Sequence, residues 1–532
     1  MNPRHRESSV LLGSLLLATG SPGAVEPGEG GGAAPPTPAL GRVIPAPASV
    51  EPRNTPYRIT ADTRIRTRGA PGAQEVADHL AALLRPSTGH PLPVEEDAAD
   101  GIRLLLTDGE PDLGDEGYLL DSGPEAVTIT ARRPAGLFYG VQTLRQLLPA
   151  AVEERTEQPG PWTVPGGTVR DVPRYGYRGA MLDVARHFFT VDQVKRYVDQ
   201  LALYKLNTLH LHLTDDQGWR IAVDSWPDLT TKGATTQVGG GAGGHYTKDE
   251  YREIVRYAAA RHLEVVPEID MPGHTQAALT AYPKLNPDGE APEPYTGVEV
   301  GFSTLCVPEE VTYHFVDDVV REVAELTPGD LLHIGGDEAD ATPKDEYAHF
   351  MDRAQALVTR HGKTVMGWHQ LAGARPVAGA VIQYWGYDAT SEEERRQVVD
   401  AALAGAKVVL SPADRSYLDM KYTEATELGL DWAGRVEVRR SYDWDPATYL
   451  DGLPEEALLG VEAPLWTETL ATSAELEVMA FPRLPGIAEL GWSPRATHDW
   501  DAYRQRLAAQ APRWDALGIR YHRSPQVPWP QQ

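Results

Sequence analysis

Acidic, basic and aromatic residues recur in the second half of the chain, each time just after a short apolar run. The run 331–334 is followed by the adjacent carboxylates Asp337 and Glu338. A carboxylic acid can protonate a leaving group, and a carboxylate can stabilise developing positive charge. The residues that follow the other runs are Asp183 and Arg186, Asp215 and Asp216, Asp270 and His274, Trp368, Trp385, Tyr417 and Asp419, and Trp466 and Glu468.

The combination of carboxylates with tryptophans indicates a carbohydrate site. Pyranose rings present apolar C–H faces that stack on indoles, and their hydroxyls need charged side chains as directional partners. Cleavage of a glycosidic bond needs a carboxylic acid for the leaving oxygen and stabilisation of an oxocarbenium-like transition state. The residue types by themselves predict a carbohydrate site and leave the division of labour between Asp337 and Glu338 open.

A (β/α)8 TIM barrel is the fold that would bring these residues together. Eight apolar runs alternate with amphipathic stretches, and a capping box at 247–250 opens a helix that extends to about residue 262. In such barrels, catalytic residues lie at the carboxyl ends of the strands. The predicted strands are 180–184, 208–213, 264–269, 331–334, 365–367, 381–384, 407–410 and 458–461.

The barrel, predicted over 173–520, is preceded by a smaller domain and followed by a tail at 521–532. Strand-like runs at 102–108 and 126–131 mix with helical spacing at 76–84 and 137–148, which predicts an α+β domain over 51–172. This domain has no cluster of catalytic residue types. The Gly- and Pro-rich segment 23–50 is predicted to be a linker.

The first 22 residues have the layout of a secretory signal peptide. Arg4 and Arg6 give a basic start, and the apolar run 10–18 is too short to span a bilayer. We therefore expect the protein to be secreted.

The composition narrows the choice of partners. With 49 basic and 76 acidic residues, the net charge of −27 would repel nucleic acid and anionic membranes, so we expect neither as a partner. Cys306 is the only cysteine, which excludes an internal disulfide. The sequence leaves open whether the protein is a monomer or a homodimer.

Seven ordered motifs resemble those of glycoside hydrolase family 20, and they cover the whole predicted barrel. They are HIGGDE at 333–338, Arg178-Gly with LDVARH at 182–187, HLHLTDDQGWR at 210–220, PEIDMPGH at 267–274, GWH at 367–369, YW at 384–385 and APLWTE at 463–468. The resemblance implies an exo-acting, retaining β-N-acetylhexosaminidase that releases terminal GlcNAc or GalNAc, and bacterial members also carry the preceding α+β domain.

The resemblance also implies a substrate-assisted mechanism, which is an exception to the two-carboxylate scheme. Glu338 would be the general acid and then the general base. Asp337 would orient the 2-acetamido group, whose oxygen attacks the anomeric carbon to give an oxazolinium intermediate, and Tyr417 would bind that oxygen. Asp270 and His274 would tune the proton affinity of Glu338.

The remaining positions are implied to bind the sugar. Arg178 and Glu468 would close one side of the pocket, Asp419 would bind hydroxyls, and Asp215 would contribute unless its neighbour Asp216 takes that role. For Asp183 and Arg186, binding and barrel structure are equally good interpretations. The tryptophans implied to wall the acetamide and the ring are Trp368, Trp385 and Trp466.

Three alternatives compete with this interpretation. His210 and His212 lie on one face of a strand and could form a metal pair, but the last strand lacks the Asp that metal-dependent amidohydrolases place there. We therefore predict buried, hydrogen-bonded histidines, with no metal and no cofactor. A silent sugar-binding protein and a two-carboxylate retaining glycosidase remain possible, and the natural substrate, GlcNAc or GalNAc preference and disaccharide release stay open.

Overall fold

A computed structural model describes residues 39–68, 71–96 and 100–531, which belong to one compact unit. The predicted signal peptide and the first part of the predicted linker lie outside the described residues.

The N-terminal domain is built on a seven-stranded mixed sheet. The strands of the domain are β1 (Ser49–Pro52), β2 (Tyr57–Ile59), β3 (Ile65–Arg68), β4 (Val94–Glu96), β5 (Gly101–Leu106), β6 (Tyr118–Ser122), β7 (Ala126–Ala131), β8 (Trp162–Val164) and β9 (Gly167–Asp171). The strand order of the sheet is β1-β9-β6-β7-β5-β3-β4, and β2 pairs with β8 in a separate ribbon. Helices α1 (Pro71–Thr88) and α2 (Pro134–Leu147) overlap the two predicted helical segments and pack on the sheet.

Part of the predicted linker belongs to this domain. Leu40, Val43 and Ile44 are fully buried, and β1 pairs antiparallel with β9. The linker prediction was therefore wrong for 39–50, because three apolar residues among the prolines are enough to anchor the segment in the core.

The second half closes into an eight-stranded parallel barrel, as predicted, in which the last strand pairs with the first. Every strand includes or overlaps its predicted run. The strands are β10 (Tyr177–Asp183), β11 (Thr208–His212), β12 (Glu264–Glu268), β13 (Leu331–His333), β14 (Thr364–Trp368), β15 (Val381–Tyr384), β16 (Lys407–Leu410) and β17 (Leu458–Leu465).

The helices around the barrel are less regular than eight equal units. The predicted capping box at Thr247 and Glu250 opens α5. Only a 3-10 segment, His369–Ala374, connects β14 to β15, because twelve residues leave no room for a long helix. The helices are α3 (Val191–Leu203), α4 (Asp228–Thr231), α5 (Lys248–Ala259), α6 (Gln276–Ala281), α7 (Glu310–Leu326), α8 (Lys344–Arg360), α9 (Glu392–Leu403), α10 (Ala413–Ser416), α11 (Val438–Tyr442), α12 (Ser473–Ala480), α13 (Leu484–Trp492), α14 (Trp500–Ala508) and α15 (Ala511–Leu517).

The chain end packs against the barrel. His522 stacks on Tyr422 with ring centroids 4.0 Å apart, and Val527 is buried. Across the described ranges, none of the helices combines the length and apolarity that crossing a bilayer requires.

Candidate active site

A pocket of about 230 Å³ opens at the carboxyl ends of the barrel strands. It contains eight of the residues singled out from the sequence, which follow five different strands. They are Arg186, Asp337, Glu338, Trp385, Tyr417, Asp419, Trp466 and Glu468. Val298, Val300, Leu430 and Trp432 complete the lining and were not predicted. Trp432 is 46% exposed. The sequence signal that could have found it is a further tryptophan in the long segment after β16.

The turn after β13 places the two adjacent carboxylates. Gly335 and Gly336 have φ values of 63° and 100°, which glycine adopts without steric cost. A Cβ at Gly335 would lie 1.7 Å from Oδ1 of Asp270, and the Gly336 amide donates to that same oxygen at 3.0 Å. Glu338 follows with φ 43°, an uncommon conformation for a residue with a side chain. The two glycines therefore allow Asp270 to hold this turn.

His274 links the carboxylate pair to a buried acid. Its Nδ1 donates to Oδ1 of Asp215 at 3.1 Å. Its Nε2 lies 3.4 Å from Oε2 of Glu338 and 3.7 Å from Oδ2 of Asp337. Asp270, His274 and Asp215 thus lie behind the carboxylates, as predicted for the first two. For Asp215 the position indicates support of His274 rather than contact with a sugar.

Arg186 completes this buried array of charges. Its Nη1 lies 3.0 Å from Oδ2 of Asp215 and 3.5 Å from Oδ2 of Asp183, and its guanidinium lies 4.8 Å from the ring centre of Trp466. Its ion pairs agree with the structural interpretation. Because Arg186 also lines the pocket, its role in binding stays a prediction.

Burial and neighbouring charges set the protonation of three groups. Burial, reinforced by Glu338, raises the pKa of Asp337 to about 6. Burial and the charge of Asp337 raise the pKa of Asp270 well above its usual range. Burial lowers the pKa of His274, but Asp215 and Asp337 outweigh it and hold that pKa well above the usual value. Burial and charge therefore favour the neutral form of Asp270 and the cationic form of His274, and Asp337 ionises near pH 6.

Aromatic side chains form the walls of the pocket. Tyr417 and Trp466 are buried with ring centroids 6.2 Å apart, and Trp385 packs on Trp432 at 5.9 Å. Trp368 is fully buried, donates from Nε1 to Glu268 at 2.7 Å and packs on Trp466. Trp368 therefore lies behind the residues that line the pocket, and its contact with a sugar stays a prediction.

Three carboxylate oxygens of residues that line the pocket have no protein partner. Both oxygens of Asp419 and Oδ1 of Asp337 are buried, and none of the described residues gives them a hydrogen bond. Unpaired buried acceptors are costly, which makes them candidates for binding a ligand donor. Together with Glu468 and Arg186, the site offers acceptors, one cation and indole faces, the partners that a hydroxylated ring requires.

Comparison with known proteins decides the family. The model described as "Glycosyl hydrolase family 20, catalytic domain" matches residues 175–348 and 341–495, and "Glycosyl hydrolase family 20, domain 2" matches residues 41–172. The chain belongs to glycosyl hydrolase family 20.

Similar proteins agree with this assignment. A β-N-acetylhexosaminidase of Cellulomonas fimi is 46% identical over 492 residues, which cover 92% of this chain and 97% of the relative. The solved family 20 β-N-acetylhexosaminidase from Streptomyces coelicolor A3(2) has a TM-score of 0.91 at 67% identity and covers 93% of this chain and 100% of that chain. A mutant Streptomyces plicatus β-hexosaminidase in complex with its product GlcNAc has a TM-score of 0.91 at 66% identity, covering 93% and 99%. The protein is a glycoside hydrolase with β-N-acetylhexosaminidase activity.

One residue of this family 20 enzyme that was predicted to bind the sugar lies far from the pocket. Arg178 lies near the amino end of β10, at the opposite end of the barrel from the pocket, and its side chain is fully buried. It forms two hydrogen bonds, of 2.9 and 2.8 Å, with the carboxylate of Glu116 in the N-terminal domain. The predicted role of Arg178 in binding a sugar was wrong, and Arg186 is the arginine of the pocket.

The barrel interior contains a histidine and carboxylate network. His212 donates to Glu268 at 2.6 Å and to Asp215 at 2.7 Å. His210 lies 2.9 Å from both Glu268 and Glu462. The prediction of buried, hydrogen-bonded histidines is confirmed. Some of these groups lie close enough together to hold a metal ion, among them His210, Glu268 and His333. Carboxylates accept hydrogen bonds from both nitrogens of His212 and from Nδ1 of His210.

Proposed function

We propose that the enzyme is exo-acting and retaining, and that it removes terminal β-linked N-acetylhexosamine by substrate-assisted catalysis. The observation that carries this proposal is the buried, unpartnered Oδ1 of Asp337 in a pocket walled by Tyr417 and indoles. An acceptor in such a place suits the N–H of a 2-acetamido group.

In the first step, Glu338 transfers its proton to the glycosidic oxygen as the bond to the anomeric carbon breaks. The acetamide oxygen of the same sugar forms a bond to that carbon, which gives an oxazolinium ring and releases the leaving alcohol. Because this nucleophile is already attached to the substrate, its effective concentration is high. Asp337 stabilises the positive charge that develops on the acetamide nitrogen, and Tyr417 donates a hydrogen bond to the acetamide oxygen.

In the second step, the carboxylate of Glu338 takes a proton from water as the water oxygen bonds to the anomeric carbon. The ring opens and regenerates the acetamide, so two inversions give net retention. Nε2 of His274, 3.4 Å from Oε2 of Glu338, holds this carboxyl group in position during the step.

The size of the pocket supports exo action. A volume of about 230 Å³, lined by Arg186, Asp419 and Glu468 among others, suits a single sugar ring better than a chain that passes through. Terminal GlcNAc and GalNAc both fit this proposal, with chitooligosaccharides or glycans as sources.

The test compares two chromogenic substrates that differ only at C2, 4-nitrophenyl N-acetyl-β-glucosaminide and 4-nitrophenyl β-glucoside. We expect rapid turnover of the first, negligible turnover of the second and a product that retains the β configuration by NMR. Comparable turnover of both would favour the two-carboxylate alternative, and sugar binding without turnover of either would favour a silent binding protein.

We also propose that the protein is exported. The basic start and the apolar run 10–18 support this. Expression of the full chain in a secreting bacterial host should deliver active enzyme to the medium with its first residues removed, and retention of an unprocessed chain in the cells would contradict the proposal.

A further inference from the structure

We propose that His212, in the interior of the barrel, is a positioning residue for the general acid Glu338. This inference rests on the proposed function, in which Glu338 transfers protons. His212 is the last residue of β11, and its side chain is fully buried and does not line the pocket. It acts through the two residues that lie between it and Glu338, which are Asp215 and His274.

Both ring nitrogens of His212 face carboxylates. Nδ1 lies 2.6 Å from Oε2 of Glu268, and Nε2 lies 2.7 Å from Oδ2 of Asp215. A neutral imidazole has one N–H and could donate to only one of these two oxygens. Burial lowers the pKa of His212, but Glu268 and Asp215 outweigh it and hold that pKa well above the usual value. The ring is therefore an imidazolium that donates in both directions.

Asp215 connects His212 to His274. Oδ2 of Asp215 accepts from His212 and lies 3.0 Å from Nη1 of Arg186, so two cationic groups fix this side of the carboxylate. The other oxygen, Oδ1, accepts a hydrogen bond of 3.1 Å from Nδ1 of His274. With Nδ1 bound in this way, His274 directs its Nε2 to Oε2 of Glu338, 3.4 Å away. The orientation of His274 therefore depends on the carboxylate that His212 holds.

Glu338 has little other support. Its side chain is 36% accessible, and among the described residues His274 alone forms an ion pair with its carboxylate. A displacement of about 1 Å, caused by a substitution far from the reacting atoms, can cost about 10²-fold in rate. A change at His212 that lets Asp215 and His274 turn should therefore impair proton transfer by Glu338, although His212 touches neither Glu338 nor the sugar.

Glu268 anchors the other side of the His212 ring. The two residues are paired across the neighbouring strands β11 and β12, and Glu268 is fully buried. Its Oε1 accepts a hydrogen bond of 2.7 Å from Nε1 of Trp368, while Nε2 of His210 lies 2.9 Å from its Oε2. Because these contacts fix Glu268, its bond to Nδ1 keeps the opposite ring nitrogen of His212 pointed at Asp215.

Two substitutions at this one position separate the two contacts. The side-chain nitrogen of asparagine falls near the place of Nδ1 of histidine, and that of glutamine falls near the place of Nε2. His212→Asn therefore keeps a donor for Glu268 and loses the donor for Asp215, whereas His212→Gln keeps the donor for Asp215. Both variants remove the imidazolium and leave one buried carboxylate oxygen without its donor, at a comparable cost in stability. A role confined to the structure of the barrel would make them equivalent.

The experiment measures kcat/KM of the full enzyme on phenyl and on 2,4-dinitrophenyl N-acetyl-β-glucosaminide. Only the phenyl glycoside needs the proton of Glu338 to release its leaving group. For His212→Asn we expect the ratio of the dinitrophenyl to the phenyl value to rise by about tenfold, a part of the 10²- to 10⁴-fold effect of a general acid. His212→Gln should keep the wild-type ratio. His212→Ser, which has no donor that reaches Asp215, should show the same rise as His212→Asn.

A wild-type ratio in His212→Asn and His212→Ser would overturn the inference, and so would an equal rise in His212→Gln. If one of the two disrupting variants does not fold, the other decides. Failure of the proposed function is distinguishable, because Glu338→Gln would then leave the ratio unchanged.

Discussion

Glu338 has the strained φ of 43° and is the more exposed of the two carboxylates, with 36% of its side chain accessible. Its assigned task is to transfer protons. Glu338→Gln should therefore lower kcat by about 10²- to 10⁴-fold for substrates with poor leaving groups. The loss should be much smaller for 2,4-dinitrophenyl glycosides, which leave without protonation. A kinetic series over phenols of increasing pKa measures this, and a variant with near wild-type rates throughout would remove Glu338 from the mechanism.

The raised pKa of Asp337 predicts that its ionised form lowers the free energy of unfolding. A carboxyl group whose pKa rises from 3.8 to about 6 in the folded protein favours the protonated folded state. Its ionised form therefore destabilises the fold above about pH 6, by about 3 kcal/mol, and this cost disappears below pH 4. Asp337→Asn should be more stable than the wild type at pH 7, and the difference should vanish as the pH falls.

Urea unfolding of the wild type and of Asp337→Asn at pH 7 and pH 4 measures this difference in stability. The kcat of Asp337→Asn should fall strongly. Ser303→Ala, which removes a buried hydroxyl bonded to Asp216, is a control for loss of polarity near the site and should not become more stable at pH 7. An Asp337→Asn variant that is less stable than the wild type at pH 7 would contradict the ionisation assigned to Asp337.

At the scale of elements, the sequence was sufficient for the barrel and for most of the pocket. Apolar runs with polar ends predicted all eight strands, and the strand-end rule selected Asp337, Glu338 and Tyr417. It was not sufficient for Arg178, whose predicted strand began at residue 180. β10 begins at Tyr177, so Arg178 is inside the strand at its amino end. Val298 and Val300 were missed because apolar residues in a long loop have no periodicity that marks them as a pocket lining.

The corrected role of Arg178 has a measurable consequence. Arg178→Met keeps much of the side-chain volume but leaves Glu116 without its cation. We expect a loss of up to about 3 kcal/mol, the lower end of the range for a broken buried pair, because Glu116 is 21% exposed. KM should not change below the unfolding transition.

Arg133→Met is the control, since that arginine is 53% exposed and its ion pairs lie at the surface. It should change neither stability nor KM. A raised KM in Arg178→Met with unchanged stability would restore the binding role.

At the scale of the molecule, the N-terminal domain supplies partners for charges buried under the barrel. Lys205 and Asp171 are both fully buried and lie 2.9 Å apart. Arg513 is buried against Glu153. Without the N-terminal domain these cations would have no counter-charge, which is strongly destabilising.

A fragment of residues 173–531 should therefore fail to fold, whereas the full chain should unfold in one cooperative transition. Far-UV and near-UV circular dichroism on heating measures both. A fragment with wild-type activity and melting temperature would contradict this dependence.

The central claim is that the nucleophile belongs to the substrate and is positioned by Asp337. Replacing the hydrogens of the N-acetyl group with one, two and three fluorines weakens the acetamide oxygen as a nucleophile with little change in size. In 4-nitrophenyl glucosaminides that carry these groups, kcat/KM should fall with each added fluorine. The total fall across the series should exceed about tenfold. A rate that stays flat across the series would contradict the account, because a nucleophile from the protein would not depend on the acetamide.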